Sequence, residues 1–216
     1  MAQTNGAPLL LARGAAALTD RVTSHGGWAV SAQETSAATA LIDGAPLAKL
    51  VVHAPPGGAV AALLGRRLAG ALRTPGGLLS AADSAGEWSV FGPAAAPAQA
   101  EIAAAASGEA FTVVDLTHGR SVYRVVGPEG PGLVQDLAAL APPAIASGRA
   151  TFTRLAGIRV GLLRVDRTAA GSSPLSILLH CARRHGQHLF DMLRDAGARR
   201  EVGVLGFASS DPRAAW

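Results

Sequence analysis

Val114-Asp115-Leu116-Thr117-His118-Gly119-Arg120-Ser121-Val122-Tyr123-Arg124-Val125-Val126-Gly127-Pro128 reads as two strands joined by a polar turn and stopped by Gly-Pro. Residues 111–116 and 121–126 are rich in β-branched and aromatic side chains, whereas Gly127-Pro128-Glu129-Gly130 cannot extend a ladder. Slid back by 72 residues without gaps, the stretch finds a partner. Asp115 falls on Asp43, Pro128 on Pro56, and Val122-Tyr123-Arg124 on Leu50-Val51-Val52. A unit recurring at a fixed offset implies a duplicated element, and two such units bury their apolar faces by packing together as one α+β body. The offset fails beyond residue 140, where the second half is longer.

Working outward, the first half carries a strand at 48–53, the breaker Pro55-Pro56-Gly57-Gly58, and a helix over 59–73 with Val60, Leu63, Leu64 and Leu68 on one side. Strands at 78–82 and 87–91 flank the turn Asp83-Ser84-Ala85-Gly86, and a helix at 98–106 closes the half. The second half repeats the order. Its helix spans 132–140, its strands 151–155, 158–165 and 175–179, and its last helix 183–196, with Leu189, Phe190, Leu193 and Ala196 on the buried face. The expected organisation is an irregular N-terminal arm at 1–36, rich in Gly, Ala, Ser and Thr and able to wrap a neighbour. An α+β half follows at 37–110, a second at 111–208, and a tail at 209–216, each half an antiparallel sheet with packed helices.

A chain of 216 residues buries a sizeable core. Charged residues are only 16%, against roughly 25% in ordinary soluble domains, so the surface is expected to be covered in part by partners. Leu9-Leu10-Leu11 is preceded by Gly6 and Pro8 and followed by Arg13, with no positive segment before it, which is not a signal-peptide pattern. No run reaches the roughly 18 apolar residues that span a membrane. A cytoplasmic protein without membrane contact is expected, and the single cysteine, Cys181, excludes an internal disulfide. The net charge of +4 is uneven: residues 1–110 hold six bases and seven acids, residues 111–216 thirteen and eight. Nucleic acid is not the expected partner, because the arginines are scattered and aromatics are only 4%. A solvated face or an acidic partner protein accounts for them.

His180, Cys181, His185 and His188 form the densest polar cluster. A zinc site needs such ligands, but His180 and Cys181 are adjacent in a strand and point to opposite faces. A nucleophilic Cys181 would need a histidine placed by geometry, which adjacency does not supply. The common nucleotide, esterase and metalloprotease fingerprints are missing. No catalytic, cofactor-binding or metal-binding residue is therefore assigned. The candidate interface or structural residues are Trp88, Asp115, His118 and Arg120. Asp115 is expected to accept from Arg120 or from its own turn amides, and Trp88 to pack in a core or interface.

Several of these strings resemble one family, the gamma subunit of heterotetrameric sarcosine oxidase, whose fold is related to that of the aminomethyltransferase of glycine cleavage. The resemblance covers roughly residues 40–200. It rests on the stretch 114–128, on Glu87-Trp88-Ser89-Val90-Phe91-Gly92-Pro93, on residues 148–164, and on Leu189-Phe190-Asp191-Met192-Leu193. Ser84-Ala85-Gly86 and Arg184-His185-Gly186 differ from the family's Gly-Pro-Asp turn and Ser-aromatic-Ala step. The resemblance implies the aminomethyltransferase folate-binding fold and a non-catalytic structural subunit. The complex would be an oxidoreductase that demethylates an N-methyl amino acid and passes the one-carbon unit to tetrahydrofolate. FAD, FMN, NAD and tetrahydrofolate would sit in alpha, beta and delta-type partners. The equivalent subunit of an N-methylglutamate dehydrogenase-type complex and a free-standing aminomethyltransferase-like protein are the alternatives.

Overall fold

A computed structural model describes residues 12–16, 21–138, 146–164 and 175–216. The N-terminal part forms β1 (Ala12–Arg13), β2 (Val22–His25) and β3 (Trp28–Ser31). The first repeat follows as β4 (Thr39–Asp43), β5 (Ala48–His53), α1 (Ala59–Leu64), β6 (Ala71–Arg73), β7 (Leu79–Ser84), β8 (Glu87–Gly92) and α2 (Ala95–Ala106). The second runs β9 (Thr112–Asp115), β10 (Arg120–Val126), α3 (Gly130–Leu137), β11 (Arg149–Leu155), β12 (Ile158–Arg164), β13 (Ser176–Ala182) and α4 (Gly186–Ala198). Last comes β14 (Val202–Leu205).

The order of elements is duplicated, and the repeats exchange their first strands. One sheet runs β6-β7-β8-β5-β9 and the other β11-β12-β13-β10-β4-β14. Thus β4 pairs with β10 of the second repeat (Asp43 opposite Tyr123), and β9 pairs with β5 of the first (Asp115 opposite Leu50). Alternation along these strands sorts the side chains into layers. On the outer face of the first sheet, Leu50, Val52, Trp88 and Val90 meet Val60 and Leu64 of α1 and Ala98 and Ile102 of α2. On the outer face of the second, Tyr123, Val125, Leu162 and Leu179 meet Leu133 of α3 and Leu189, Phe190 and Leu193 of α4. Leu79, Ala81 and Phe91 of one sheet press on Val122, Leu163 and Leu178 of the other. The result is four layers, helix-sheet-sheet-helix.

Three expectations change. The helix expected over 59–73 stops at Leu64; Ala69 takes a left-handed φ of 53° and turns the chain, so that 71–73 pairs antiparallel with β7. Leu68, in phase with Leu64, is left 60% exposed. The arm expected to be irregular over 1–36 contains a β2–β3 hairpin whose turn is Gly26-Gly27, both at positive φ (55° and 81°). A Gly-Gly pair supplies the turn whose twist matches two paired strands, and Trp28 and Val30 on one face of β3 are buried. Within 209–216, Asp211 caps a 3₁₀ turn by accepting from the Arg213 amide at 2.8 Å. Residues 1–11 and 17–20, the end of the helix expected over 132–140, and Val165 lie outside the described residues.

Candidate inter-sheet cleft

Towards one end of the molecule the inter-sheet layer changes from apolar to polar. Asp83 and Ser89 follow Leu79, Ala81 and Phe91 on the inner face of the first sheet, and Arg159 and His180 follow Leu163 and Leu178 on that of the second. Arg120 and Val122 share the inner face of β10. Too polar to close on one another, the two walls leave a cleft of about 680 Å³ bounded by the β7–β8, β9–β10 and β13–α4 connections. An adjoining chamber of about 260 Å³ is lined by small and apolar groups including Ala69, Ala81, Ala82 and Leu162, and shares Asp83, Phe152 and His180 with the cleft.

Ser89 ties the two walls together. Its hydroxyl donates to Asp83 Oδ2 at 2.5 Å and accepts from an Arg120 guanidinium nitrogen at 2.7 Å. Burial pushes the Asp83 carboxyl above the ordinary range, opposed by the Ser89 hydrogen bond and the Arg120 charge. His180 is 4% exposed. Burial, reinforced by the charges of Arg120 and Arg159, lowers it to about 3, so its imidazole is neutral at physiological pH. The ring lies 5.1 Å from that of Phe91 and 5.7 Å from that of Phe152. It lies against Gly161, where any Cβ would overlap it. The guanidinium of Arg159 stacks 4.5 Å above Phe152.

A second polar cluster lies where the N-terminal sheet meets the body. Lys49, the only lysine in the chain, is fully buried on β5. Its ammonium donates to the carbonyl of Ala45 and, at 3.1 Å, to that of Thr117, and lies 5.3 Å from the Trp28 ring centroid. Burial lowers it to about 7, opposed in part by Asp43. His118 stacks on Trp28 at 4.9 Å with the rings 8° apart, and Arg183 approaches the same indole at 4.9 Å. Asp43 accepts from the amides of Ala15, Ala16 and Ala45 at 2.5, 2.9 and 2.9 Å, and burial raises its carboxyl.

The four residues singled out in the sequence are therefore separated. Trp88 is in the outer core of the first sheet, its indole nitrogen donating to Gly65 O at 2.7 Å. Asp115 is exposed and accepts from the Thr117 amide at 2.8 Å. His118 belongs to the Trp28 cluster, and Arg120 alone reaches the cleft. Asp83, Ser89, Arg159, Trp28 and Lys49 were not singled out. A lone lysine inside an apolar strand was the one available signal, since burying an ammonium demands partners.

His180 and Cys181 point to opposite faces of β13. Cys181 packs in the outer core of the second sheet, where burial raises its thiol to about 11, so the protein keeps it un-ionised and poorly nucleophilic. Among the described residues no three His, Cys, Asp or Glu side chains gather as metal ligands. The start of α1 beyond Gly57-Gly58, a place suited to a phosphate, is taken by the Glu109 carboxylate, which accepts from the amides of Ala59 (2.6 Å) and Val60 (3.2 Å).

No family model matches the chain, and no curated protein sequence does. Solved structures do. A chain of the heterotetrameric sarcosine oxidase from Corynebacterium sp. U-96, in complex with pyrrole 2-carboxylate, aligns over 78% of this protein and 88% of its own length, with a TM-score of 0.60 and 21% identity. The glycine cleavage system aminomethyltransferase T from Bartonella henselae aligns over 88% of this protein with a TM-score of 0.65 and 15% identity. This protein spans 57% of that aminomethyltransferase. The fold is thus the mixed α+β fold of aminomethyltransferase-like proteins. Among the described residues no helix is long and apolar enough to cross a membrane.

Proposed function

We propose that this chain is a gamma-type structural subunit of a heterotetrameric, flavin-dependent complex of the sarcosine oxidase kind. The complex would be cytoplasmic and would oxidatively demethylate an N-methyl amino acid. Alpha, beta and delta-type partners would hold FAD, FMN, NAD and tetrahydrofolate, on which the released one-carbon unit is captured. The observation that carries the reading is the likeness, over 78% of this protein and 88% of the other chain, to a chain of a sarcosine oxidase that is itself a heterotetramer. The low charge content supports it, as does the engagement of the chemically capable groups in the fold itself. Cys181 is un-ionised in a core, Lys49 is held by two carbonyls and an indole, and Glu109 fills the start of α1.

Co-producing the chain with the products of the adjacent genes and purifying through a tag on it tests this reading. Co-elution of larger chains with the yellow absorption of bound flavin is expected. Recovery of the chain alone, as a monodisperse monomer without flavoprotein, overturns it.

A further inference from the structure

Two arginines of the β11–β12 hairpin, Arg154 and Arg159, form no ion pair among the described residues. The hairpin's register sets Arg154 directly opposite Arg159 on the inner face, and like charges placed across a ladder repel. Arg154 donates to the Gly157 carbonyl in its own turn, and Arg159 lies over Phe152. The acids nearby are already engaged, Asp83 with Ser89 and Glu87 facing His53 at 4.0 Å. Beside these cations, on the rim of the 260 Å³ chamber, stand two of the four large apolar side chains exposed among the described residues, Leu68 at 60% and Phe152 at 41%. Within the chamber His180 is neutral and the Asp83 carboxylate is tied to Ser89, while the remaining lining is mostly small or apolar, from Leu68, Ala69, Ala81, Ala82 and Leu162.

We infer that this corner docks a segment of a partner protein, one that inserts a large apolar side chain into the chamber between Leu68 and Phe152 and lays an adjacent acidic side chain against Arg159 and Arg154. The chamber is roomy enough, since a cavity of about 150 Å³ already holds benzene. Charge complementarity selects the acid, and Phe and Arg, here stacked on one another at Phe152 and Arg159, are both enriched at protein interfaces. A protein segment fits better than a small molecule because Arg154 lies outside both chamber and cleft, so only a ligand extending from the chamber onto the hairpin covers the whole charged and apolar patch. The inference rests on the subunit reading above and adds where one partner binds.

The test uses the co-produced complex. Phe152 is replaced by the photoreactive p-benzoylphenylalanine, and Phe152→Ser, Arg159→Glu and Arg159→Lys are prepared separately, with circular dichroism confirming that each folds. Illumination is expected to crosslink position 152 to a partner peptide with an Asp or Glu within a few residues. Phe152→Ser and Arg159→Glu are expected to weaken partner recovery roughly tenfold or more, as loss of a central interface contact does, while Arg159→Lys keeps it. Reversing the charge of the crosslinked acid in the partner should restore Arg159→Glu. Wild-type recovery with both folded variants overturns the inference alone, as does a crosslink only to nucleic acid or to none. So does binding of phenylacetate in the chamber of the isolated chain with partner recovery unaffected. A wild-type chain that emerges without any partner overturns the subunit reading and this inference together.

Discussion

Asp43 and Asp115 occupy the same place in the two repeats and do the same local work. Each ends the first strand of its repeat, and each accepts from the amide two residues on, Ala45 at 2.9 Å and Thr117 at 2.8 Å. Their surroundings differ. Asp43 is 7% exposed and takes two further amides from the segment before β2, whereas Asp115 is open to solvent. Duplication has copied the turn chemistry, and the N-terminal sheet, which has no counterpart in the second repeat, has converted one copy into an anchor. The same division separates Lys49 from Ser121, its equivalent at the offset of 72.

The strongest way to break this comparison is Asp43→Ala. It strands three amides, of which at least that of Ala45 is shut away from water. A buried donor left without an acceptor costs about 1–3 kcal/mol, so a loss of about 2–4 kcal/mol is expected in urea denaturation. A loss below about 1 kcal/mol would mean that the anchor does not hold the N-terminal sheet.

Lys49→Met sharpens the comparison through pH. Folding lowers the Lys49 ammonium from 10.5 to about 7. Between those values the unfolded chain binds more protons than the folded one, so stability rises as pH climbs from 7 towards 10.5. Below pH 7 both states are protonated, and the cost of burying the charge is fully present. The methionine variant, lacking the group, should show a flatter stability profile across that window. Parallel profiles for the two proteins would show that the ammonium is not desolvated.

The repeat was legible in the sequence because its signals are local: an aspartate that caps its own turn, and a proline that stops the next strand. The strand exchange was not, since pairing β4 with β10 depends on contacts about eighty residues apart that leave no periodic trace. Leu68 misled for a related reason. It continues the stripe of Val60 and Leu64, but Gly65, at a positive φ of 100°, ends the helix before Leu68 is reached. The Gly26-Gly27 turn was readable, but the weak alternation around it hid the hairpin. In the cleft, Arg120 stood out beside a distinctive turn, while Asp83, Ser89, Arg159 and His180 arrive on four other strands and come together only once both sheets are assembled.

Asp115→Ala should have the smallest effect of all. The turn it caps is held independently by backbone bonds, Gly119 and Arg120 donating to the Leu116 carbonyl and Leu116 to that of Lys49. The Thr117 hydroxyl also accepts from the Lys49 amide at 3.2 Å. Water can replace the exposed carboxylate at the Thr117 amide, so the loss should be about 0.5 kcal/mol or less, within the range of an exposed surface substitution. The same urea titration reads it. A loss equal to that of Asp43→Ala would mean that the turn position governs stability whatever covers it, and the N-terminal sheet would then be no more than a lid over a turn that was already essential.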